Sequence, residues 1–371
     1  MQAGINNDET YQWLCLYLIE GLGNVGAHCL LRAFGNPATI FSADQGELAK
    51  VREVSQEALR NIVDRRFALD PQKEMRRIEK VAGRIIPFHS PEYPQYLKEI
   101  HDPPVILYAK GLPIPPEVPF VAIVGSRNPT HYGRKVAAKL GKDIAAAGAG
   151  VVSGMARGID GAAQWGCLKG KGFSIGVVGT GLDVIYPSVN RKLFESVWEQ
   201  GVVISEFPMR TPPEPRHFPI RNRIISGISR GVVVVEATRK SGSLITASQA
   251  LDQGREVFAV PGSIFSNRSA GTHFLIKQGA KLVERASDVL EEIVPMRTLN
   301  AHVDHQPYSH ALPQMSQIEE KVYGLLSDYP KHIDELVREL DLDPGELSGI
   351  LLSMELVGLV KQLPGKMFVR I

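Results

Sequence analysis

The chain has 371 residues, enough on general grounds for roughly two to four domains. With 44% hydrophobic and 22% charged residues, the composition is that of a globular protein and excludes wholesale disorder. No run reaches the ~20 apolar residues of a membrane span. The nearest, 347–360, is broken by Ser348, Ser353 and Glu355, and the first 20 residues lack the Lys or Arg of a signal peptide. A cytoplasmic protein with no membrane partner is expected.

The net charge of +2 conceals an asymmetry. Residues 1–117 carry −2, residues 118–290 carry +10 (22 Lys and Arg against 12 Asp and Glu), and residues 291–371 carry −6. A basic module between two acidic ones points to an anionic partner for the centre, or to a solvated basic surface. Cys15, Cys29 and Cys167 are odd in number and lack CxxC spacing, so neither a disulfide frame nor a zinc site is supported. They are expected to be buried packing thiols.

In chain order, residues 1–110 are expected to form a helical domain. Trp13, Leu14, Tyr17 and Leu18 make one apolar stripe, Leu30, Leu31 and Phe34 a second, and Ala58, Leu59, Ile62 and Val63 a third. Between the first two stripes, Ile19-Glu-Gly-Leu-Gly-Asn-Val-Gly26 has the form of a helix-hairpin-helix turn. Its glycines would let backbone N–H groups approach a phosphate, or would only relieve a tight helix–helix connection. The acidic balance of this segment favours an accessory or structural role. The stretch 111–119 holds four prolines and ends the domain.

From 118 to 292, apolar strand-like runs alternate with helical stretches. The runs are 119–125, 150–153, 174–179, 202–205, 231–236, 256–260 and 280–283. Such alternation predicts a parallel sheet with crossover helices, a Rossmann-like α/β layout that binds ligands beyond the carboxyl ends of its strands. Those ends carry Gly125-Ser-Arg-Asn-Pro129, then Ser153-Gly-Met-Ala-Arg-Gly-Ile-Asp160, then Gly179-Thr-Gly-Leu-Asp-Val-Ile-Tyr-Pro187. Glu206-Phe-Pro208 and Glu236-Ala-Thr-Arg-Lys-Ser-Gly-Ser243 follow.

Glycines and serines allow close backbone approach, and helix N-termini favour anions. Arg127, Arg157, Arg191, Lys192, Arg221, Arg223, Arg239 and Lys240 add full charges on the same rim. Neither a complete G-x-G-x-x-G nor a Walker loop is present; Gly166-Cys-Leu-Lys-Gly-Lys171 falls one residue short. Asp160, Asp183, Glu206 and Glu236 lack a paired nucleophile or metal set, so catalytic apparatus is incomplete. A phosphate polymer fits better, with rim aromatics as stacking faces. Tyr186, Phe194, Phe207 and Phe218 lie among the rim arginines, and Phe194, three residues after Arg191, is the expected platform.

Residues 293–314 read as a linker, with three prolines and His302, His305 and His310 facing solvent rather than a metal. Residues 315–371 suggest a winged helix: three helices and a hairpin turning at Pro364-Gly365. A DNA reader would carry Lys or Arg on the third helix, and 343–356 has none. This module is expected to mediate protein interaction or modulate a dimer.

Taken together, these motifs closely resemble the DNA-processing protein A (DprA/Smf) family. The carriers are Gly125-Ser-Arg127 with Tyr132-Gly133, the run 153–161, the run 179–187 with Asn190, and Ser205-Glu-Phe-Pro208. Phe218-Pro-Ile-Arg-Asn-Arg-Ile-Ile-Ser226, Ser241-Gly-Ser-Leu-Ile-Thr-Ala247 and the run 254–262 complete the set. The resemblance implies an extended Rossmann-like parallel sheet core with an N-terminal helical (helix-hairpin-helix/SAM-like) domain and a C-terminal winged helix. It implies a nonenzymatic, cytosolic protein that binds and protects single-stranded DNA and helps load RecA recombinase in natural transformation, as a homodimer through the Rossmann-like domain.

By motif matching, the resemblance implies DNA contacts from Arg127, from Ser153 to Arg157, and from Arg191 and Phe194, extended by Arg221, Asn222 and Arg223. At the position of Arg191 some members carry Lys, and the charge is kept. With the rim glycines, serines and cations added, the expected set also includes Gly125, Ser126, Gly154, Met155, Gly158, Lys192, Lys240, Ser241 and Gly242. No catalytic residue, metal or cofactor is expected. The alternative is a nucleotide-cleaving phosphoribohydrolase-like enzyme on a similar sheet. That pattern wants Pro-Gly-Gly-x-Gly-Thr followed by Glu, whereas the run 241–247 is followed by no Glu before residue 256.

Overall fold

A computed structural model describes residues 7–293, 315–327 and 329–370, which fall into two compact units. The larger unit is built on a nine-stranded sheet of order β1-β2-β6-β5-β4-β3-β7-β8-β9. Its strands are β1 (Arg84–Pro87), β2 (Ile106–Gly111), β3 (Phe120–Val124), β4 (Gly150–Ser153), β5 (Ser174–Val178), β6 (Val202–Ser205), β7 (Gly231–Val234), β8 (Glu256–Ala259) and β9 (Lys281–Leu282). From β6 across to β9 every pairing is parallel; β2 joins β6 antiparallel, and β1 joins β2 antiparallel.

The central strands explain why the parallel arrangement forms. β3 and β5 are buried at every position, as are β4, β6 and β7, and their Val- and Ile-rich runs leave no polar face for solvent. All seven expected strands of the central module are present. The order reverses around β3, which has β4 on one side, continuing to β5 and β6, and β7 on the other, in register Val121 to Gly231 through Val124 to Val234. The crevice of such a sheet lies at this reversal, beyond the carboxyl ends.

The expected helical domain of residues 1–110 is corrected at its boundary. Helices fill Asn7–Leu18, Gly23–Phe34, Pro37–Ser42, Gln45–Leu48, Gln56–Val63 and Pro71–Lys80, but β1 and β2 lie within the same span and extend the central sheet. Ile106, Leu107, Tyr108 and Ala109 are completely buried, which is what a strand inside a sheet requires. The apolar run 105–109 is five residues long and follows Pro103 and Pro104, too short for periodicity alone to mark it as a strand.

The glycine turn between the first two helices has a structural use. Asn24 Nδ2 donates to Glu206 Oε1 at 2.6 Å, Asn24 Oδ1 accepts from the Val105 N–H at 3.2 Å, and Tyr17 Oη donates to the Glu206 carbonyl at 2.6 Å. Glu206 also accepts from Arg223 Nη2 at 2.5 Å, and Arg223 Nε lies 3.0 Å from Asp102. The turn is thereby fastened to the carboxyl end of β6. The three cysteines are all unpaired, and burial pushes the Cys167 thiol up to about 12, consistent with a packing role.

The smaller unit has helices Gln317–Leu325, Ile333–Leu340 and Pro344–Leu356 with strands β10 (Lys331–His332), β11 (Val360–Leu363) and β12 (Met367–Arg370), in sheet order β10-β12-β11. This is a winged helix around Val322, Leu336, Leu347, Leu351 and Met354. The expected linker and its His302, His305 and His310 lie outside the described residues, apart from Ile293.

Arg223 and Glu206 are both under 10% exposed, so removing one strands the other in low dielectric. Arg223→Ala is expected to lower the unfolding free energy by about 3 kcal/mol, measured by urea denaturation.

Candidate nucleic-acid interface

The loop after β3 is fixed from both sides. The Ser126 N–H donates to the Glu236 carbonyl beyond β7 at 2.8 Å, and the Ser126 carbonyl accepts from the Ile159 N–H at 3.1 Å. Gly125 and Arg127 are left facing a cavity of about 520 Å³, lined also by Asp160, Tyr186, Phe218, Arg221, Asn222 and Ser241. A second recess of about 190 Å³, containing Gly154 and Arg157, shares Arg127, Ala156, Tyr186, Phe218 and Arg221 with the first.

Arg221 forms the floor. It projects from the helix His217–Ile228, is 4% exposed, and its Nη1 donates to the Val177 carbonyl in β5. Burial pushes its guanidinium down to about 10; nearby Asp160 opposes that shift and Arg127 adds to it. It is therefore still a full cation at neutral pH, and its Nε has no hydrogen-bond partner. Asp160 lies in the first turn of the helix Ile159–Lys169 and accepts from the Gly154 N–H at 3.1 Å. Burial holds its carboxyl above the usual range, against the pull of Arg221, the Gly154 and Ala156 N–H groups and Arg127.

A side chain at position 154 would force Arg221 or Asp160 to move. A Cβ there would collide with Arg221 Nη1 and stand 2.7 Å from Asp160 Oδ2. The following loop is held by Asn190, whose Nδ2 donates to the carbonyls of Met155 and Ala156 at 2.9 and 3.0 Å.

An aromatic surface sits over the cationic floor. The Arg127 and Arg221 guanidiniums lie 5.2 and 5.9 Å from the Phe218 ring centroid, and the Tyr186 ring is 5.8 Å from it at 33°. Tyr186 is 42% exposed, enough to present a face. On the far wall, the helix Gly242–Asp252 opens at Ser241, whose Oγ accepts from the Ser243 N–H at 3.4 Å. Ser241, Gly242, Ser243 and Thr246 line the cavity there, so a helix N-terminus adds its partial positive charge.

Of the expected DNA-binding set, Gly125, Arg127, Gly154, Arg157, Arg221, Asn222, Ser241 and Gly242 are brought together around the two recesses. Ser126 and Gly158 shape the backbone beside them without lining either. Arg191, Lys192 and Lys240 are exposed but line neither recess.

Four expectations are corrected. Phe194 is 1% exposed and meets Trp198 edge-on at 6.1 Å, so it has no face for a base. On the helix Arg191–Gln200 the buried positions are Leu193, Phe194 and Val197, and reading that stripe ahead of the Arg191 spacing would have placed Phe194 in the core. Met155 is completely buried, with its sulfur against Gly176. Ser153 is buried and its Oγ donates to the Ile123 carbonyl at 2.6 Å. Arg223 is consumed by Glu206 and Asp102.

Ser243, Ile245, Thr246, Pro213, Pro215 and Pro219 were missed. For Ile245 and Thr246 a signal existed, since they follow Gly242 by three and four residues on one helical face.

The family described as DNA recombination-mediator protein A matches residues 84–294, and the DprA winged helix domain matches residues 306–366. The chain belongs to the DprA/Smf family. It is 49% identical over 209 residues to the DNA processing protein DprA of Bacillus subtilis, covering 56% of this chain and 70% of that one. The X-ray structure of DprA from Streptococcus pneumoniae is 38% identical, with a TM-score of 0.68, and the match covers 76% of this chain and 98% of that one.

DNA processing protein A from Helicobacter pylori, whose structure is described for its single-stranded DNA binding mode, is 30% identical with a TM-score of 0.52. That match covers 57% of this chain and 94% of that one. The matched family segment begins at Arg84, the first residue of β1. Among the described residues no helix is long and apolar enough to cross a membrane, and no group of three His, Cys, Asp or Glu could hold a metal ion.

Gly154→Ala must displace Arg221 or Asp160. It is expected to lower stability by about 1–3 kcal/mol in urea denaturation, with the circular dichroism of the folded state retained.

Proposed function

We propose that this protein is a nonenzymatic, cytosolic recombination mediator that binds and protects single-stranded DNA and helps load RecA recombinase, including during natural transformation. The observation that carries the reading is the cavity beyond the strand ends, which combines Arg127, Arg221 and a helix N-terminus with the exposed Tyr186 ring over Phe218. Cations for phosphates beside an aromatic face for bases is the chemistry that sequence-independent single-strand binding needs. Duplex DNA keeps its bases stacked and offers such a face nothing. The single-stranded DNA binding mode described for the Helicobacter pylori relative supports the same reading.

The homodimer belongs to this proposal. Ile264 and Phe265, just beyond β8, are 82% and 94% exposed, an apolar surface suited to a second copy. For the winged helix we propose protein interaction: its third helix has no Lys or Arg and exposes Leu352 and Leu356 at 58% and 81%.

Fluorescence anisotropy of labelled oligo-dT tests DNA binding. Single strands are expected to bind and to be poorly competed by duplex. Arg127→Ala should weaken binding and reduce the log–log salt slope by about 0.7, the share of one phosphate. Tyr186→Ala should weaken it about tenfold, from a stacking contribution of about 1–3 kcal/mol, while Phe194→Leu should leave affinity per folded molecule unchanged. Absence of binding at low salt refutes the proposal. Phe265→Glu is expected to shift the sedimentation coefficient from dimer to monomer, and an unchanged dimer would move that interface elsewhere.

A further inference from the structure

A second cavity lies away from the strand ends, in the N-terminal part of the larger unit. It has a volume of about 380 Å³ and shares no lining residue with the two recesses described above. The helix Gly23–Phe34 supplies Val25, His28 and Arg32, spaced three and four residues apart on one face. Lys98, His89 and His101 complete the polar lining, and no Asp or Glu lines the cavity.

The polar groups are poised for an anion. Arg32 and Lys98 have no carboxylate partner among the described residues; the Lys98 ammonium instead lies 5.8 Å from the Phe88 ring and 5.9 Å from the Tyr93 ring. His28 Nε2–H donates to the Pro103 carbonyl at 2.9 Å and is thereby spent, so the anion is left to Arg32 and Lys98. The remaining walls are flat. His89 stacks on Trp13 at 4.8 Å and 12°, and Phe88 packs edge-on to His28 at 4.5 Å. Two unpaired cations beside stacked rings, in a cavity of this size, match an anion that also carries a planar ring.

We propose that this cavity binds a nucleotide, its phosphate held by Arg32 and Lys98 and its base set against the imidazole and aromatic rings. The nucleotide comes either from a DNA strand or as a free mononucleotide. The net charge of −2 over residues 1–117 does not oppose this, because the acids of the segment lie outside the cavity. Glu9 pairs with the lining residue His89 at 3.0 Å, and Asp102 is turned to Arg223.

The test titrates full-length protein into N-methylanthraniloyl-dAMP and into labelled oligo-dT, both read by fluorescence anisotropy. Wild type, the Arg32→Ala/Lys98→Ala double variant and Arg127→Ala are compared. Among the described residues neither member of the double variant has an ion pair to break, and its urea midpoint serves as the folding check.

The double variant is expected to weaken the mononucleotide at least tenfold, with Arg127→Ala within twofold of wild type. If the source is a strand, the double variant also weakens oligo-dT and lowers its salt slope by about 0.7 for each phosphate no longer neutralised; if the source is a free nucleotide, oligo-dT is unaffected. The proposal is overturned if the double variant weakens neither probe, or if the mononucleotide is lost only with Arg127→Ala. Failure of oligo-dT to bind wild type would remove the single-strand function and leave the mononucleotide arm standing.

Discussion

A guanidinium buried at the floor of a cavity is an expensive group to place, and much of the local structure follows from keeping Arg221 there. Desolvation disfavours its charge, and three features offset that cost: the Val177 carbonyl it donates to, the Asp160 carboxylate beside it, and the open cavity above. Asp160 in turn is buried, and the Gly154 and Ala156 N–H groups, pointing at it from the loop, hold it beside Arg221. Glycine at 154 lets the loop pass between these two groups without displacing either. The Arg221 Nε–H stays buried without a partner, a further cost that charge interaction with an anion in the cavity would offset.

The sheet supplies the frame for this arrangement. Parallel strands β3, β4, β5 and β7 deliver their loops to one edge, so residues far apart in sequence converge without any local motif linking them. Rigidity at the other flank comes from Glu206, which ties the first helical turn, β6 and the helix His217–Ile228 into one hydrogen-bonded node. That helix carries Arg221 toward the cavity and Arg223 toward the node. Two arginines two residues apart therefore have opposite employments, as helical geometry requires of an i,i+2 pair.

Much of this was legible in the sequence, for physical reasons that also mark its limits. The five central strands β3 to β7 announce themselves because burial on both faces demands Val- and Ile-rich runs. Gly125, Arg127 and Ser241 were visible because a strand followed by a glycine-rich turn and a helix has few other uses. β1 and β2 were not, since short apolar runs beside prolines, Ile85-Ile86 before Pro87 and 105–109 after Pro104, carry no period. Phe194 was misread by weighing its distance from Arg191 above the amphipathic stripe it belongs to. Arg223 could not be sorted from Arg221 at all, because its acidic partners are placed by tertiary structure.

Arg223 also qualifies what the +10 charge of the central module means. Arg255 is 9% exposed, donates to the Tyr96 carbonyl at 2.7 Å and pairs with Glu99, and Arg230 donates to the Ile293 carbonyl. These three arginines hold the fold together and contribute little field at the rim. At the recesses the cations open to an anion are Arg127 and Arg157, both exposed, with Arg221 buried between them, while Arg191, Lys192 and Lys240 are exposed outside the recesses. Net charge counts both kinds alike. What distinguishes them is whether a carboxylate or carbonyl from another element has already been brought within hydrogen-bond distance, and on that ground Arg223, Arg230 and Arg255 stand apart from the exposed Arg127 and Arg157.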